Sequence, residues 1–152
     1  MLHQRLPRFF DDTLCTMLRR PARLQVAALC LRDGAKGPEV LLITSRGTGR
    51  WILPKGWPMA HRTLAEAAAQ EAWEEAGVRG RIDEAEFGRY RAAKDTGGGL
   101  MVPCDVAAFR LTVEQLADDY PEAAQRTRRW LRPADAATLV REDGLRDLLE
   151  RL

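Results

Sequence analysis

Runs of apolar positions change period along this chain, and each change marks an element. Gln25–Arg32 (QVAALCLR) is almost continuously apolar over strand length and predicts a buried strand. The DGAKGPE stretch is a turn before a second strand at Val40–Thr44. SRGTGR forms a loop, Trp51–Leu53 a short strand stopped by Pro54, and Lys55–Arg62 a further loop. The period then becomes helical. Ala65, Ala69, Ala72 and Ala76 fall on one stripe, with Thr63 as N-cap, Glu66 completing a capping box and Gly77 as the stop. Strand patterns follow around Ile82–Tyr90 and Val102–Leu111, separated by DTGGG. Helices start near Pro133–Ala134 and run from Gly144 to the end, and a further helix is expected over Phe10–Arg19. Strands, helix, strands, helices is the order of an α+β domain with a mixed sheet covered by helices. Residues 1–20 form an N-terminal arm, and 21–152 one domain.

Composition fits a soluble globular protein: 45% hydrophobic and 30% charged residues in a chain of 152 can bury a core. A net charge of +2 gives no global attraction to nucleic acid or membrane. No apolar run reaches the ~20 residues of a membrane span, and the first residues lack the apolar core of a signal peptide. Cys15, Cys30 and Cys104 are odd in number and scattered; with His3 and His61 they suggest neither a disulfide framework nor a zinc site. Cys30 and Cys104 sit in strand-like stretches and are expected to be small buried hydrophobes. A reducing cytoplasm suits this set.

Charge is distributed unevenly. QEAWEEAG (70–77) carries Glu71, Glu74 and Glu75 on one helical face, and no Lys or Arg lies between Thr63 and Val78. Like charges three and four residues apart repel by a few tenths of a kcal/mol, and acids in a last turn oppose the helix dipole. A compensating group must come from outside the helix. The interval from Val40 to Ala65 is the complement: it has no Asp or Glu and holds Arg46, Arg50, Lys55 and Arg62. If these loops fold over the acidic face, carboxylates suited to hard Mg²⁺ stand beside cations suited to phosphate. A spare Glu can then take a proton from water. A solvated Glu-rich face is the plain alternative.

Nucleophilic and P-loop chemistry are disfavoured. Ser45 is the only serine and has no G-x-S-x-G around it, and GTGRWILPKG lacks the P-loop spacing. RTRRW at 126–130 is basic with an aromatic, and reads as a phosphate-facing or solvated helix start in preference to an RNA contact. Trp57, beside the cationic loop, is the better candidate for stacking a base, and Trp73 is expected in the core.

Gly56–Val78, GWPMAHRTLAEAAAQEAWEEAGV, resembles the Nudix box, G-x5-E-x7-R-E-U-x-E-E-x-G-U with U aliphatic. Gly56, Glu71, Ala72, Glu74, Glu75, Gly77 and Val78 fall on its positions. QVAALCLR, EVLLITSRGTGRWILPKG and DDYPEAAQRTRRWLRPADAATLV are similar to the diphosphoinositol polyphosphate phosphohydrolase branch of that superfamily. The resemblance implies an α/β/α sandwich with a mixed sheet. It also implies Mg²⁺-dependent hydrolysis (Mn²⁺ as an alternative ion) of a phosphoanhydride in a small phosphorylated substrate, such as a diphosphoinositol or diadenosine polyphosphate. By position it makes Glu71 and Glu75 metal ligands, with the backbone carbonyl of Lys55 completing the shell. Glu74 becomes the general base or a further ligand. Ser45, Arg46, Arg50 and Gly56 lie where the branch meets substrate, and Arg129 matches a basic position near it. Charge adds the Lys55 side chain and Lys94.

Two positions depart from the box: Arg62 stands where the family has Glu, and Gln70 where it has Arg. The pair that braces the loop on the helix is expected to become Arg62–Gln70, or Arg62–Glu66. A binding or regulatory Nudix module, and hydrolysis of ADP-ribose or RNA 5′ ends, are the alternatives. A monomer or a homodimer is expected.

Overall fold

Residues 22–152 are described by a computed structural model. The expected helix at Phe10–Arg19, Cys15 and His3 lie outside them. Strand β1 (Arg23–Gly34) pairs antiparallel with β2 (Gly37–Thr44) and parallel with the long β7 (Met101–Leu116). Around these three lie β3 (Trp51–Ile52) on β2, β4 (Lys55–Gly56) on β1, and β5 (Val78–Ile82) and β6 (Gly88–Asp95) on β7. β8 (Arg128–Leu131) also pairs with β2. One parallel pair among antiparallel ones makes the sheet mixed, as expected.

Burial on both faces explains the unbroken apolar run of β1. Val26, Ala28 and Cys30 point to one side with Leu41 and Ile43 of β2, against helix α1 (Leu64–Ala76). Ala27 and Leu29 point to the other with Val40 and Leu42, against α2 (Pro133–Leu139) and α3 (Asp143–Glu150). The result is three layers, α/β/α. Cys30 and Cys104 are free and buried, as expected. Among the described residues no helix is long and apolar enough to cross a membrane.

Helix α1 begins and ends on its expected caps. Thr63 Oγ1 accepts the Glu66 N–H at 3.1 Å, and the Glu66 carboxylate accepts the Thr63 N–H at 3.0 Å. Gly77 stops it at φ 68°, and a Cβ there would also strike Tyr120 and the Ala117 carbonyl. Glycine is required twice over.

Four expectations change. The Lys55–Arg62 loop contains a two-residue strand, β4, too short to carry a period. Ile82–Tyr90 is not one strand: β5 ends at Ile82 and β6 starts at Gly88. RTRRW is no helix start, because residues 128–131 pair with β2 as β8. Its inward side chains toward α1 are Arg128 and Trp130, so the alternation is hidden by a cation that donates to the carbonyls of Ala76 and Ala117. Trp73 is half-buried at the surface, with the Arg79 guanidinium 3.9 Å from its ring centroid, and not in the core.

Candidate active site

The β1–β4 pairing, Val26 opposite Gly56 and Ala27 opposite Lys55, pins the chain just before α1. Glu71 and Glu75, one helical turn apart, face that segment. Glu75 accepts the Lys55 backbone N–H at 3.1 Å. The Glu71 carboxylate occupies the space a Cβ at Gly56 would fill, so glycine there permits the approach. Glu74 lies further round the helix, and its Oε1 accepts from the Gln70 amide at 2.8 Å.

The missing compensating charge comes from Arg126. Its Nη2 lies 2.8 Å from Glu75 Oε1 and its Nη1 donates to the Thr44 carbonyl at 3.0 Å; the side chains are 5% and 10% exposed. Glu122 joins them, 3.6 Å from Arg126 and 3.2 Å from Arg46, and its backbone N–H bonds the Glu74 carbonyl. Sequence reasoning missed both Glu122 and Arg126. They lie well beyond the box, Arg126 51 positions from Glu75, and QRTRRW offers three arginines with nothing local to rank them.

Burial and crowding disfavour the charged carboxylates. Desolvation, then the charges of Glu74 and Glu122, push the Glu71 carboxyl up to about 7. Desolvation raises Glu75 to about 7 as well, although Arg126 and the Lys55 N–H pull it down. A carboxyl that binds its proton more tightly when folded stabilises the protein at low pH and loses that contribution as pH rises through its folded value. With EDTA present, the melting temperature is therefore expected to fall between pH 5 and pH 8. Added Mg²⁺ should raise it more at pH 8 than at pH 5, because a cation competes with fewer protons there. A melting temperature that rises steadily with pH in EDTA would contradict this.

The cationic loop is built as expected but is internally paired. Ser45 Oγ accepts the Arg50 N–H at 3.0 Å and bonds Thr48 Oγ1 at 2.6 Å, so its role in the structure is to close the loop. Arg46 reaches Glu122 and Gln125 on the α1 side. Arg50 reaches Glu142, at 3.1 Å, on the opposite side. The Lys55 ammonium bonds Gln25 Oε1 at 2.9 Å, and burial lowers its pKa. Lys94 lies 4.8 Å from the Trp57 ring centroid, so one face of that candidate stacking surface is taken by a cation. Arg129 is not brought to the carboxylates. It stands opposite Leu42, on the sheet face away from α1, and is exposed.

The expected brace is absent. Arg62 is exposed and makes no side-chain hydrogen bond or ion pair among the described residues. Gln70 turns to Glu74 and Glu66 closes the capping box, and each is a shorter-range contact than a reach to Arg62.

The donor set fits a hard divalent cation by chemistry: it is all oxygen, desolvated, crowded and backed by a glycine cradle. Among the described residues, however, no three Asp, Glu, His or Cys side chains already stand together as a metal-binding group. Their hydrogen bonds hold Glu75 on Arg126 and Glu74 on Gln70 instead. An open cleft of about 290 Å³ lined by Lys36, Glu39, Trp130 and Arg132 lies elsewhere, beside the start of α2.

Comparison with known proteins agrees with this fold. A family model described as NUDIX domain matches residues 22–152. Nudix hydrolase 16, mitochondrial, of Arabidopsis thaliana is 31% identical over 159 residues, covering 90% of this chain and 88% of that protein. Diphosphoinositol polyphosphate phosphohydrolase 3-alpha of Mus musculus is 30% identical over 118 residues, covering 76% and 68%. Nudix hydrolase 12, mitochondrial, of Arabidopsis thaliana is 35% identical over 115 residues, 74% of this chain, and the match spans 57% of that protein's length. The crystal structure of C. elegans Ap4A hydrolase superposes with a TM-score of 0.64 at 20% identity, covering 86% of this chain and 96% of that one; the likeness is one of fold. The mitochondrial names belong to the relatives, and they lend the cytoplasmic expectation no support.

Proposed function

The chain belongs to the Nudix hydrolase superfamily, and from that premise we propose that it is a Mg²⁺-dependent pyrophosphohydrolase of small, highly phosphorylated substrates. The observation that carries the reading is the packing of two desolvated carboxylates, Glu71 and Glu75, against the Lys55–Gly56 backbone, beside a loop of arginines. Glu71, Glu75 and the Lys55 carbonyl would hold the ion. A bound Mg²⁺ supplies Lewis-acid neutralisation of charge on the phosphoanhydride oxygens. Glu74, oriented by Gln70, takes the proton of the attacking water as its oxygen bonds to phosphorus. The anhydride P–O bond breaks with its electron pair on the leaving phosphate. Arg46 and Arg50, on a loop closed by Ser45, receive phosphate oxygens. Lys94, whose charge acts on the Glu71 carboxyl, and Arg129, on the far face of the sheet, add attraction for a polyanion.

Names of relatives favour diphosphoinositol or diadenosine polyphosphates as the substrate class, and the number of cations around the site suits them. The test is phosphate release across a panel of such compounds, ADP-ribose and 5′-triphosphate RNA, with Mg²⁺, for wild type and Glu74→Gln. Release by wild type that Glu74→Gln abolishes supports the reading. A wild type inert to the whole panel favours a binding module instead.

Arg46 has an exposed side chain held by Glu122 and Gln125, so a phosphate chain can displace its partners. Arg46→Ala is expected to raise KM about tenfold for diadenosine hexaphosphate and about two- to threefold for ADP-ribose. Equal losses on the two substrates would remove Arg46 from the phosphate path.

A further inference from the structure

Glu142 belongs to no motif, yet outside the Arg126 cluster it sits in the most enclosed ion pair among the described residues. Its Oε1 lies 3.1 Å from Arg50 Nη1, across 92 positions of sequence, with side chains 10% and 22% exposed. It occupies the N-cap of α3 but makes no capping hydrogen bond there. Its second oxygen, Oε2, is buried without a partner, and so is the Tyr90 hydroxyl, whose ionisation is opposed first by burial and then by the Glu142 charge. Burying a carboxylate this poorly satisfied costs stability, and a purely structural contact would be served as well by an apolar pair. What the pair does accomplish is to fix Arg50. The Arg50 backbone is already locked, donating to Ser45 Oγ and accepting from the Ser45 N–H at 2.7 Å. Glu142 then holds the guanidinium by one nitrogen, while Nε and Nη2 make no hydrogen bond to the described residues.

Resting on the hydrolase reading above, we propose that Glu142 is a positioning residue that sets selectivity for phosphate number. It aims the free edge of Arg50 at one phosphate group and cancels the arginine's charge. Recognition at this wall then depends on hydrogen-bond geometry, and extra phosphates gain little there. On the other wall Arg46, paired with the more exposed Glu122, remains the group that responds to chain length.

The probes are inorganic pyrophosphate and tripolyphosphate, bound to the full chain with Mg²⁺ at several salt concentrations. Glu142→Gln keeps an acceptor for Arg50 and removes the charge. It is expected to tighten tripolyphosphate about five- to tenfold and pyrophosphate about twofold or less, with a steeper salt dependence. Glu142→Asp keeps the charge and shortens the reach; both probes should weaken severalfold with the salt dependence unchanged. In an Arg50→Ala background neither substitution should matter. An effect of Glu142→Gln that persists without Arg50, or a Glu142→Asp protein that binds like wild type, overturns the proposal. Thermal melts confirm that each variant folds, and Glu142→Asp carries the test if Glu142→Gln does not. Should wild type bind tripolyphosphate and hydrolyse nothing, the hydrolase reading fails while this coupling can still hold. Hydrolysis with no Arg50–Glu142 coupling is the reverse result.

Discussion

Glu75→Gln is expected to reduce kcat for Mg²⁺-dependent phosphate release by roughly a thousandfold or more, with little loss of stability. The two halves of that result have one cause. Glu75 is held by the Lys55 N–H and Arg126 in a desolvated place where its carboxyl is pushed up to about 7, so the fold does not favour its charge. An amide of the same shape removes a disfavoured ion, and Arg126 retains Glu122 at 3.6 Å. What the amide cannot do is hold a divalent cation as a carboxylate does. Activity and melting temperature measured side by side give the answer: a protein equally inactive and strongly destabilised would mean that Glu75 is a structural partner of Arg126 and little else.

Arg126→Met is expected to cost about 3–5 kcal/mol of folding free energy near pH 8, the usual consequence of stranding one member of a buried ion pair. Arg126 is the counter-charge for Glu75 and also binds the Thr44 carbonyl, so its loss leaves a buried anion and an unpaired backbone oxygen. The sign of the pH dependence is fixed by Glu75. Below its folded pKa the carboxyl is protonated and needs no cation, so denaturant titrations at pH 5 should show a smaller difference from wild type than at pH 8. A loss independent of pH would assign the effect to packing of the arginine stem.

Several parts of the site were legible because they are local. The capping box of Thr63 and Glu66, the Gly77 stop and the stripe of small residues follow from neighbours within one or two helical turns. The crowding of Glu71, Glu74 and Glu75 was legible too, as was the need for a partner beyond the helix. Which group answers that need was not. Arg126, Arg128 and Arg129 are indistinguishable in QRTRRW, and strand alternation in β8 decides among them: Arg128 faces α1 and donates to its last carbonyl, that of Ala76, while Arg129 points the other way. Arg126, just before the strand, is left to reach Glu75. The Arg62 brace failed for a related reason. Gln70 and Glu66 each had a closer partner on their own helix, and a local hydrogen bond restricts fewer bonds than a reach across a loop.

The linear order of residues by itself determined the mixed α+β architecture, the caps of α1 and the acidic stripe with its acid-free flank, because propensity, period and like-charge repulsion act over a few positions. Only the tertiary structure decided that Glu75 is neutralised by Arg126, that Glu71 rests in the space left by Gly56, and that Arg50 is held by Glu142. Those contacts join positions 15 to 92 residues apart, and their strength comes from desolvation, which exists only once the sheet and helices have closed around them.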